Sequence, residues 1–499
     1  MRRDKVVIVG AGIGGLSAAI DLCAQGLDIT VIERAPTPGG KLSEASVGGA
    51  GIDSGPTVFT MKWVFDDLFA SAGETFDDHL TTARAETLAR HSWPDGSTFD
   101  LFADLDRSAE AVGDLAGADE ARRFRAFAAR ASLIYNVLEG PFIKKAKPTI
   151  PGLTLDIGLH RPREQWSIMP YRSMWSELGS YFKDPRLRQL FGRYATYAGC
   201  SPFKAPATLM LVAHVELQGV WLVEGGMQRI PEALAGLATQ SGATIRYGET
   251  VARIVKTNGK ATGVELATGE RIEADRVIVN ADPGALAAGC FGADASLAVD
   301  PTPRKARSLS AMTLAFTGET DAPLTRHNLF FSPDYVAEFD ALHAGRMPEA
   351  PTVYVCAQDR ADGGGPPRTN GPERYFTIVN APPDGDVHAW SREEIDQCRT
   401  RTLDTLERCG VSIRPSPSPM SITTPDGFER RFPATGGALY GRAGHGWDGA
   451  FRRPGARTRM PGLYLCGGAT HPGAGVPMAA LSGRCAASAV LADRASTRR

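Results

Sequence analysis

The 499-residue chain has no pair of cysteines at C-x-x-C spacing, no excess of either charge and no long apolar run. Each absence closes a class of function. The eight cysteines, at 23, 200, 290, 356, 398, 409, 466 and 485, are scattered. Neither a zinc site nor a dithiol redox pair is read from them, and reduced structural thiols of a cytoplasmic protein are expected. Lys and Arg number 55 against 56 Asp and Glu, a formal net charge of -1, whereas nucleic acid as main partner calls for a basic excess. A membrane span needs about 20 consecutive apolar residues; the best approach, "APATLMLVAHV" from Ala205 to Val215, is about half as long. "MRRDKVVIVGAGIGG" starts basic but shows no long apolar segment and no cleavage site, so no export signal is read. Heptads, tandem repeats and long low-complexity tracts are absent, and no Ser-His-Asp or Cys-His arrangement stands in convincing context. "DGGGPPRTNGP" (362–372) reads as a surface loop.

What is present begins at once. Val6 to Val9 is a short β-branched run, read as a buried parallel strand. Gly10-Ala11-Gly12-Ile13-Gly14-Gly15 follows, then Leu16, Ala19, Ile20 and Cys23 on one helical face, Gly26 as the stop, and a second strand from Asp28 to Glu33. Gly10 permits the tight turn, Gly12 lets backbone approach a pyrophosphate, and Gly15 lets helix and strand pack closely. The helix N-terminus offers free N–H groups and the positive end of its dipole to phosphates. Glu33 stands where an acid accepts hydrogen bonds from the ribose hydroxyls of a bound adenosine. Strand, glycines, helix, strand and acid together make a dinucleotide site. The continuation decides between nicotinamide and flavin: Arg34 is followed by Gly39-Gly40-Lys41, then by Asp53-Ser54-Gly55-Pro56-Thr57, and the regular alternation of strand and helix stops. That extension resembles the FAD-binding start of the flavin amine oxidase and phytoene desaturase superfamily.

The same grammar returns near the other end. "GLYLCGGATHPGAGVPMAALSG" (462–483) again reads strand, glycine turn and small-residue helix, with no Asp, Glu, Lys or Arg. A C-terminal strand joining the N-terminal sheet brings backbone N–H groups and a second helix N-terminus to the flavin end of the dinucleotide. Gly467, Gly468, Gly475, Val476 and Pro477 are the residues expected there. Between the two ends, Ile230 to Ala238 reads as a helix, and 243–247, 251–256, 262–266 and 274–282 read as strands or strand-turn units.

The whole chain resembles the bacterial carotenoid desaturases of the phytoene desaturase type. The resemblance is carried by "VIVGAGIGGLSAAIDL…VIERAPTPGGK", "DSGPTVFT" and "GGATHPGAGVP". Within them, "GRYATYAGCSPFKAPATLMLVAHVELQGVWLVEGGMQRI" (192–230) is most similar to the hydroxycarotenoid 3,4-desaturases, also called hydroxyneurosporene or methoxyneurosporene dehydrogenases. The resemblance implies an α/β fold in which a discontinuous FAD-binding domain (1–75, 215–290 and 455–499) carries an inserted substrate and membrane-contact domain (76–214 and 291–454). It implies Val251 beside the adenine. It also implies removal of two hydrogens across C3–C4 of an acyclic carotenoid bearing a 1-hydroxyl or 1-methoxyl group, with quinone or oxygen reoxidising the flavin. A multistep phytoene desaturase and an isomerase-like flavoprotein remain alternatives, as does a prenyl carrier of the GDP-dissociation-inhibitor type, against which the intact glycine sets speak.

Two residues are weak candidates for proton handling. His471 lies in the C-terminal glycine turn, where a structural hydrogen bond, a proton transfer or a covalent flavin link are all open. Asp53 opens the "DSGP" turn, where an Asx-type turn residue is the simpler reading. A C40 hydrocarbon lives in lipid, so a cytoplasmic protein peripherally associated with the inner membrane is expected. "ARRFRAFAARASLIYNVLEGPFIKKAKPT" (121–149) has the basic and apolar mixture of an interfacial helix.

Overall fold

In the computed structural model, which describes residues 3–168, 170–367 and 371–497, the β-branched run becomes strand β1 (Lys5–Val9). It sits at the middle of a five-stranded sheet because every side chain after Lys5 is buried and needs cover on both faces. Its neighbours are β2 (Asp28–Glu33) and the strand Arg276–Val279, both parallel, with Val7 opposite Thr30 and Val277. Thr244–Tyr247 closes one edge beside β2, and Leu463–Leu465 closes the other beside Arg276–Val279. Five stretches spread along the chain therefore meet in one parallel sheet.

Helix α1 (Ile13–Ala24) follows the glycine turn and is buried on nearly every side. A helix apolar all round is one packed on two faces. Its second face meets the C-terminal helix Val476–Thr497, where an added Cβ at Gly483 would lie 2.1 Å from the Gly14 carbonyl oxygen. The helix Arg229–Gln240 also lies against this layer. Val251–Thr257, Lys260–Leu266 and Arg271–Glu273 form a small antiparallel sheet.

The largest sheet has eight strands. Ser310–Glu319 pairs along its length with Glu373–Ala381, and the sheet continues through Val353–Ala357, His327–Phe330, Thr87–Ser92 and Thr98–Phe102. Helices between 105 and 218 close over it around an aromatic core, with Phe127 and Phe191 ring centroids 4.5 Å apart and Phe182 and Phe191 stacked at 5.0 Å. Of the loop expected at 362–372, residues 368–370 lie outside the described residues.

The expected interfacial helix is corrected here. Ala118–Leu138 turns Phe124, Phe127 and Ile134 wholly into that aromatic core, so its apolar face is already covered by protein. Large exposed apolar side chains gather instead just downstream, in and after the short helices Ile150–Ile157 and Pro162–Ser167: Leu155, Leu159, Trp166 and Tyr171 are 64–79% exposed. The Tyr171 ring lies 6.0 Å from that of Trp447, and Arg161, Arg163 and Arg172 lie in the same stretch of chain, Arg161 paired with Glu164 and Arg172 with Glu177. Among the described residues, no helix is long and apolar enough to cross a membrane.

Candidate flavin site

The turn after β1 is shaped by its own main chain. Gly10 takes φ +101°, and its amide donates to the Ile32 carbonyl at 2.8 Å, tying β1 to β2. A Cβ on Gly15 would stand 2.1 Å from the Gly10 carbonyl oxygen, and one on Gly14 2.9 Å from the Gly467 nitrogen. These are glycines because protein fills the space. Gly468 differs: a Cβ there would meet its nearest neighbours only at 3.9 Å. Its lack of a side chain leaves room beside the turn that nothing in the protein occupies. The cap of α1 is Gly12, with no side-chain acceptor on the first-turn amides, so those donors are offered outward.

Glu33, at the end of β2, is buried and accepts from the Ala11 amide at 2.7 Å through Oε2 and from the Ala35 amide at 2.8 Å through Oε1. Each oxygen keeps a second lone pair for ribose hydroxyls. Val251 is buried one short turn away, in the cluster that includes Val9 and Ile32, where the Glu249 amide donates to the Glu33 carbonyl. Arg34 is exposed at the rim.

Asn280, at the end of the strand Arg276–Val279, touches both glycine turns. Its Nδ2 donates to the Gly10 carbonyl at 3.2 Å, and its side chain would meet a Cβ at Gly12, Gly14, Gly15 or Gly467 within 3.0 Å. It was not among the expected site residues; the signal was a short polar residue closing a buried strand at Asn280-Ala281-Asp282. Asp282 caps the next helix through Oδ1, while its Oδ2 is buried without a partner. Thr470 Oγ1 in the C-terminal turn is likewise buried without one. Two unpaired polar atoms and an open Gly468 beside one backbone cradle fit a large polar cofactor.

Charged side chains brace the same place. Lys41 donates to the Leu439 carbonyl at 2.5 Å, and burial lowers its ammonium below the ordinary lysine range despite the nearby Asp282. Arg453 is buried and donates from Nη1 to the carbonyls of Tyr440 (2.8 Å) and Gly468 (3.3 Å), holding the C-terminal turn; burial lowers it too. Gly55 packs over the Lys41 carbonyl, where a Cβ would come within 2.1 Å; Pro56 is exposed; and Thr57 Oγ1 lies 2.6 Å from Tyr354 Oη. Gly39 and Gly40 take φ +125° and +66°, and Gly475 leads into Val476 and Pro477, which are buried at the start of the C-terminal helix.

Both proton-handling candidates are engaged in holding backbone. His471 is buried; its Nε2–H donates to the Phe142 carbonyl at 3.0 Å and its ring lies edge-on to Phe142 at 5.1 Å. Burial lowers this imidazole to about 4, so it is neutral at pH 7. The unfolded chain takes its proton near 6.5 and the folded one only near 4. Stability from this group is therefore complete above pH 6.5 and is lost as pH falls toward 4, by about 3 kcal/mol at full extent. The melting temperature should drop between pH 6.5 and 4.5, less steeply in His471→Gln. An equal slope in the variant would remove the assignment. Asp53 accepts from the amides of Met227 (2.8 Å) and Gln228 (3.3 Å) and is buried beneath the Gly225-Gly226 turn. Burial raises its carboxyl, against those two hydrogen bonds.

The model of the family "Flavin containing amine oxidoreductase" matches residues 13–491. The chain is 49% identical over 502 residues to a hydroxyneurosporene desaturase of Rubrivivax gelatinosus, covering all of this chain and 95% of that protein. It is 45% identical over 496 residues to a hydroxyneurosporene desaturase of Cereibacter sphaeroides, covering 99% of each. The crystal structure of an oxidoreductase from Methanosarcina mazei shares the fold, with TM-score 0.62 at 17% identity over 98% of this chain and 100% of that one. A glycine cradle of this build, matched over nearly the whole chain, has one consequence for classification: the chain belongs to the flavin containing amine oxidoreductase family and, within it, to the hydroxyneurosporene desaturases.

Proposed function

We propose that the chain uses FAD to introduce the C3–C4 double bond of acyclic carotenoids that carry a 1-hydroxyl or 1-methoxyl group. The full-length identity of 45% and 49% to two hydroxyneurosporene desaturases carries this reading. A hydride and a proton leave adjacent carbons as the new double bond forms. FAD, when bound, supplies the two-electron acceptor for the hydride.

The protein's own part is to bind, orient and keep dry. Gly10, Gly12, Ile13, Gly14 and Gly15 hold the pyrophosphate on the α1 amides, and Glu33, with Arg34 at the rim, holds the ribose next to an adenine packed on Val251. Gly39, Gly40, Lys41, Gly55, Pro56, Thr57, Gly467, Gly468, Gly475, Val476 and Pro477 line the flavin end. Residues 1–75, 215–290 and 455–499 hold the cofactor, and 76–214 with 291–454 enclose the polyene. His471 and Asp53 keep the glycine turns in place.

The exposed Leu155, Leu159, Trp166 and Tyr171, among arginines, support docking on an anionic membrane surface, from which the substrate is drawn. Quinone or oxygen would be the terminal electron acceptor. His471 ties Phe142 to the glycine turn.

The test is an incubation of the holoenzyme with liposomes containing 1-hydroxyneurosporene, with phytoene in parallel, read by absorbance and mass. Loss of two hydrogens with a red shift from the hydroxylated substrate alone is the expected result. Turnover of phytoene instead would move the chain to the multistep desaturases, and inertness together with failure to retain flavin would make it a lipid carrier. In the same assay, Leu159→Ser/Trp166→Ser/Tyr171→Ser should lower co-sedimentation with anionic liposomes about tenfold or more while leaving the flavin content unchanged. Unchanged sedimentation would reject the docking surface.

A further inference from the structure

A group of buried polar side chains lies in the aromatic core beneath the helices between 105 and 218. Arg193 is 5% exposed and His327 is 2% exposed. Tyr194 and Tyr197 donate their hydroxyls to the two oxygens of Glu216 at 2.8 and 2.9 Å, and Arg193 Nη1 donates to Tyr197 Oη at 3.1 Å. The guanidinium lies 4.9 and 5.1 Å from the two ring centroids. A second chain runs in from the flavin end: Thr57 Oγ1 to Tyr354 Oη at 2.6 Å, then Tyr354 Oη to His327 Nδ1 at 2.7 Å. The two chains meet in one hydrophobic cluster, with Tyr194 in its core and Tyr197 and Tyr354 packed against it.

Glu216 balances the arginine charge. What is left over is hydrogen-bonding capacity: Arg193 Nε and Nη2 and His327 Nε2 are buried with no partner. An unmade hydrogen bond of a buried donor costs about 1–3 kcal/mol, so three such atoms in one neighbourhood call for a partner that arrives with the ligand. The fit is chemical. Guanidinium is donor-only, so it can donate to a hydroxyl or an ether oxygen equally well. Neutral His327 supplies either a donor or an acceptor at Nε2. The oxygen on C1 of the carotenoid lies three bonds from C3, roughly 4 Å at ordinary bond lengths, so whatever holds it must stand close to the reacting bond. The His327 chain begins at Thr57, in the stretch assigned above to the flavin end.

We infer that Arg193 and His327 bind the oxygen on C1 of the substrate, so that the end group is recognised by these donors and the C3–C4 bond is thereby set at the flavin. This rests on the desaturase reading. A site with buried donors also explains rejection: a hydrocarbon end group would leave them unpaired, the asymmetry that gives sites built for a hydroxyl their selectivity against analogues lacking it.

The test compares kcat/KM of the holoenzyme for 1-hydroxyneurosporene and for neurosporene, which lacks the oxygen. The wild type is expected to prefer the hydroxylated substrate by about 10³-fold or more. Arg193→Met/Glu216→Gln, which removes both charges together and leaves neither buried alone, should cut that preference at least tenfold through loss on the hydroxylated substrate. His327→Phe should also cut it, and His327→Gln, which keeps a donor, should restore most of it. Flavin content is measured alongside; if the double variant fails to retain flavin, the His327 pair decides. A preference unchanged in flavin-loaded variants, with both substrates slowed equally, would make the cluster structural and overturn the inference. A wild type that desaturates 1-hydroxyneurosporene and neurosporene equally would also overturn it, while the desaturase reading stood. A wild type inert toward both would overturn that reading first.

Discussion

Gly483→Ala is expected to accumulate poorly and to purify without the visible flavin band. The reason lies in how closely two helices meet. The added Cβ would sit 2.1 Å from the Gly14 carbonyl oxygen, 2.9 Å from its carbon and 3.0 Å from the Ala18 nitrogen. All three are main-chain atoms of α1, so no rotamer change relieves the clash. The C-terminal helix has to move off α1, and α1 carries the amides of the glycine turn. Overpacking a core by one methyl costs about 1–3 kcal/mol where side chains can yield; against backbone alone the upper end or more is expected, together with loss of the cofactor. The checks are the ratio of flavin to protein absorbance and the melting temperature. A variant that retains full flavin and melts within a degree of the wild type would contradict the packing described. Gly236, in the helix Arg229–Gln240, is a built-in control: a Cβ there meets nothing within 4 Å, and alanine should be neutral or slightly stabilising.

The second large effect is expected at Asp53. Removing its carboxylate in Asp53→Ala leaves the Met227 and Gln228 amides, now paired at 2.8 and 3.3 Å, without acceptors, at about 1–3 kcal/mol for each one that stays buried. The damage spreads because Gln228 Nε2 donates to the Pro38 carbonyl at 2.9 Å, just ahead of Gly39-Gly40-Lys41. Asp53 itself is held through its main chain by Gln358, which bonds both its N–H and its C=O. The variant should therefore lose flavin and stability together. Asp53→Asn separates the clasp from a proton acceptor. One amide oxygen can serve only part of the clasp, so turnover should fall in proportion to flavin content. A variant with full flavin and turnover reduced a hundredfold or more would make Asp53 a proton acceptor instead.

The N-terminal turn was legible because periodicity, glycine spacing and a terminal acid all lie within 33 residues, where local chemistry and fold agree. The C-terminal turn was legible from its glycine spacing between an apolar strand and a small-residue helix. The helix observed at Arg229–Gln240 and the strands at Val251–Thr257 and Lys260–Leu266 lie within a few residues of their expected bounds. Three things were not legible. Asn280 looks like any short polar residue until the sheet carries it between two distant turns. The basic helix Ala118–Leu138 has the composition of an interfacial segment, and only the aromatic rings packed on its Phe124 and Phe127 show that its face is taken. Arg193, Glu216, His327 and Tyr354 lie far apart in sequence, and each alone reads as surface or core. Their meaning appears when helix and sheet bury them together.

The order of strands in the five-stranded parallel sheet has a consequence for synthesis. The strand Leu463–Leu465 and the helix after it supply one wall of the cradle whose opposite wall ends at Glu33. At about 5–20 residues per second a ribosome needs roughly 20–90 s to travel from one to the other. During that interval β1, α1 and β2 are made but cannot close on a nucleotide, and the apolar surface of α1 waits for the helix that will cover it. With the cofactor site as proposed, capture waits until residues 463–497 have been made, and a chain ended before them would lack that wall.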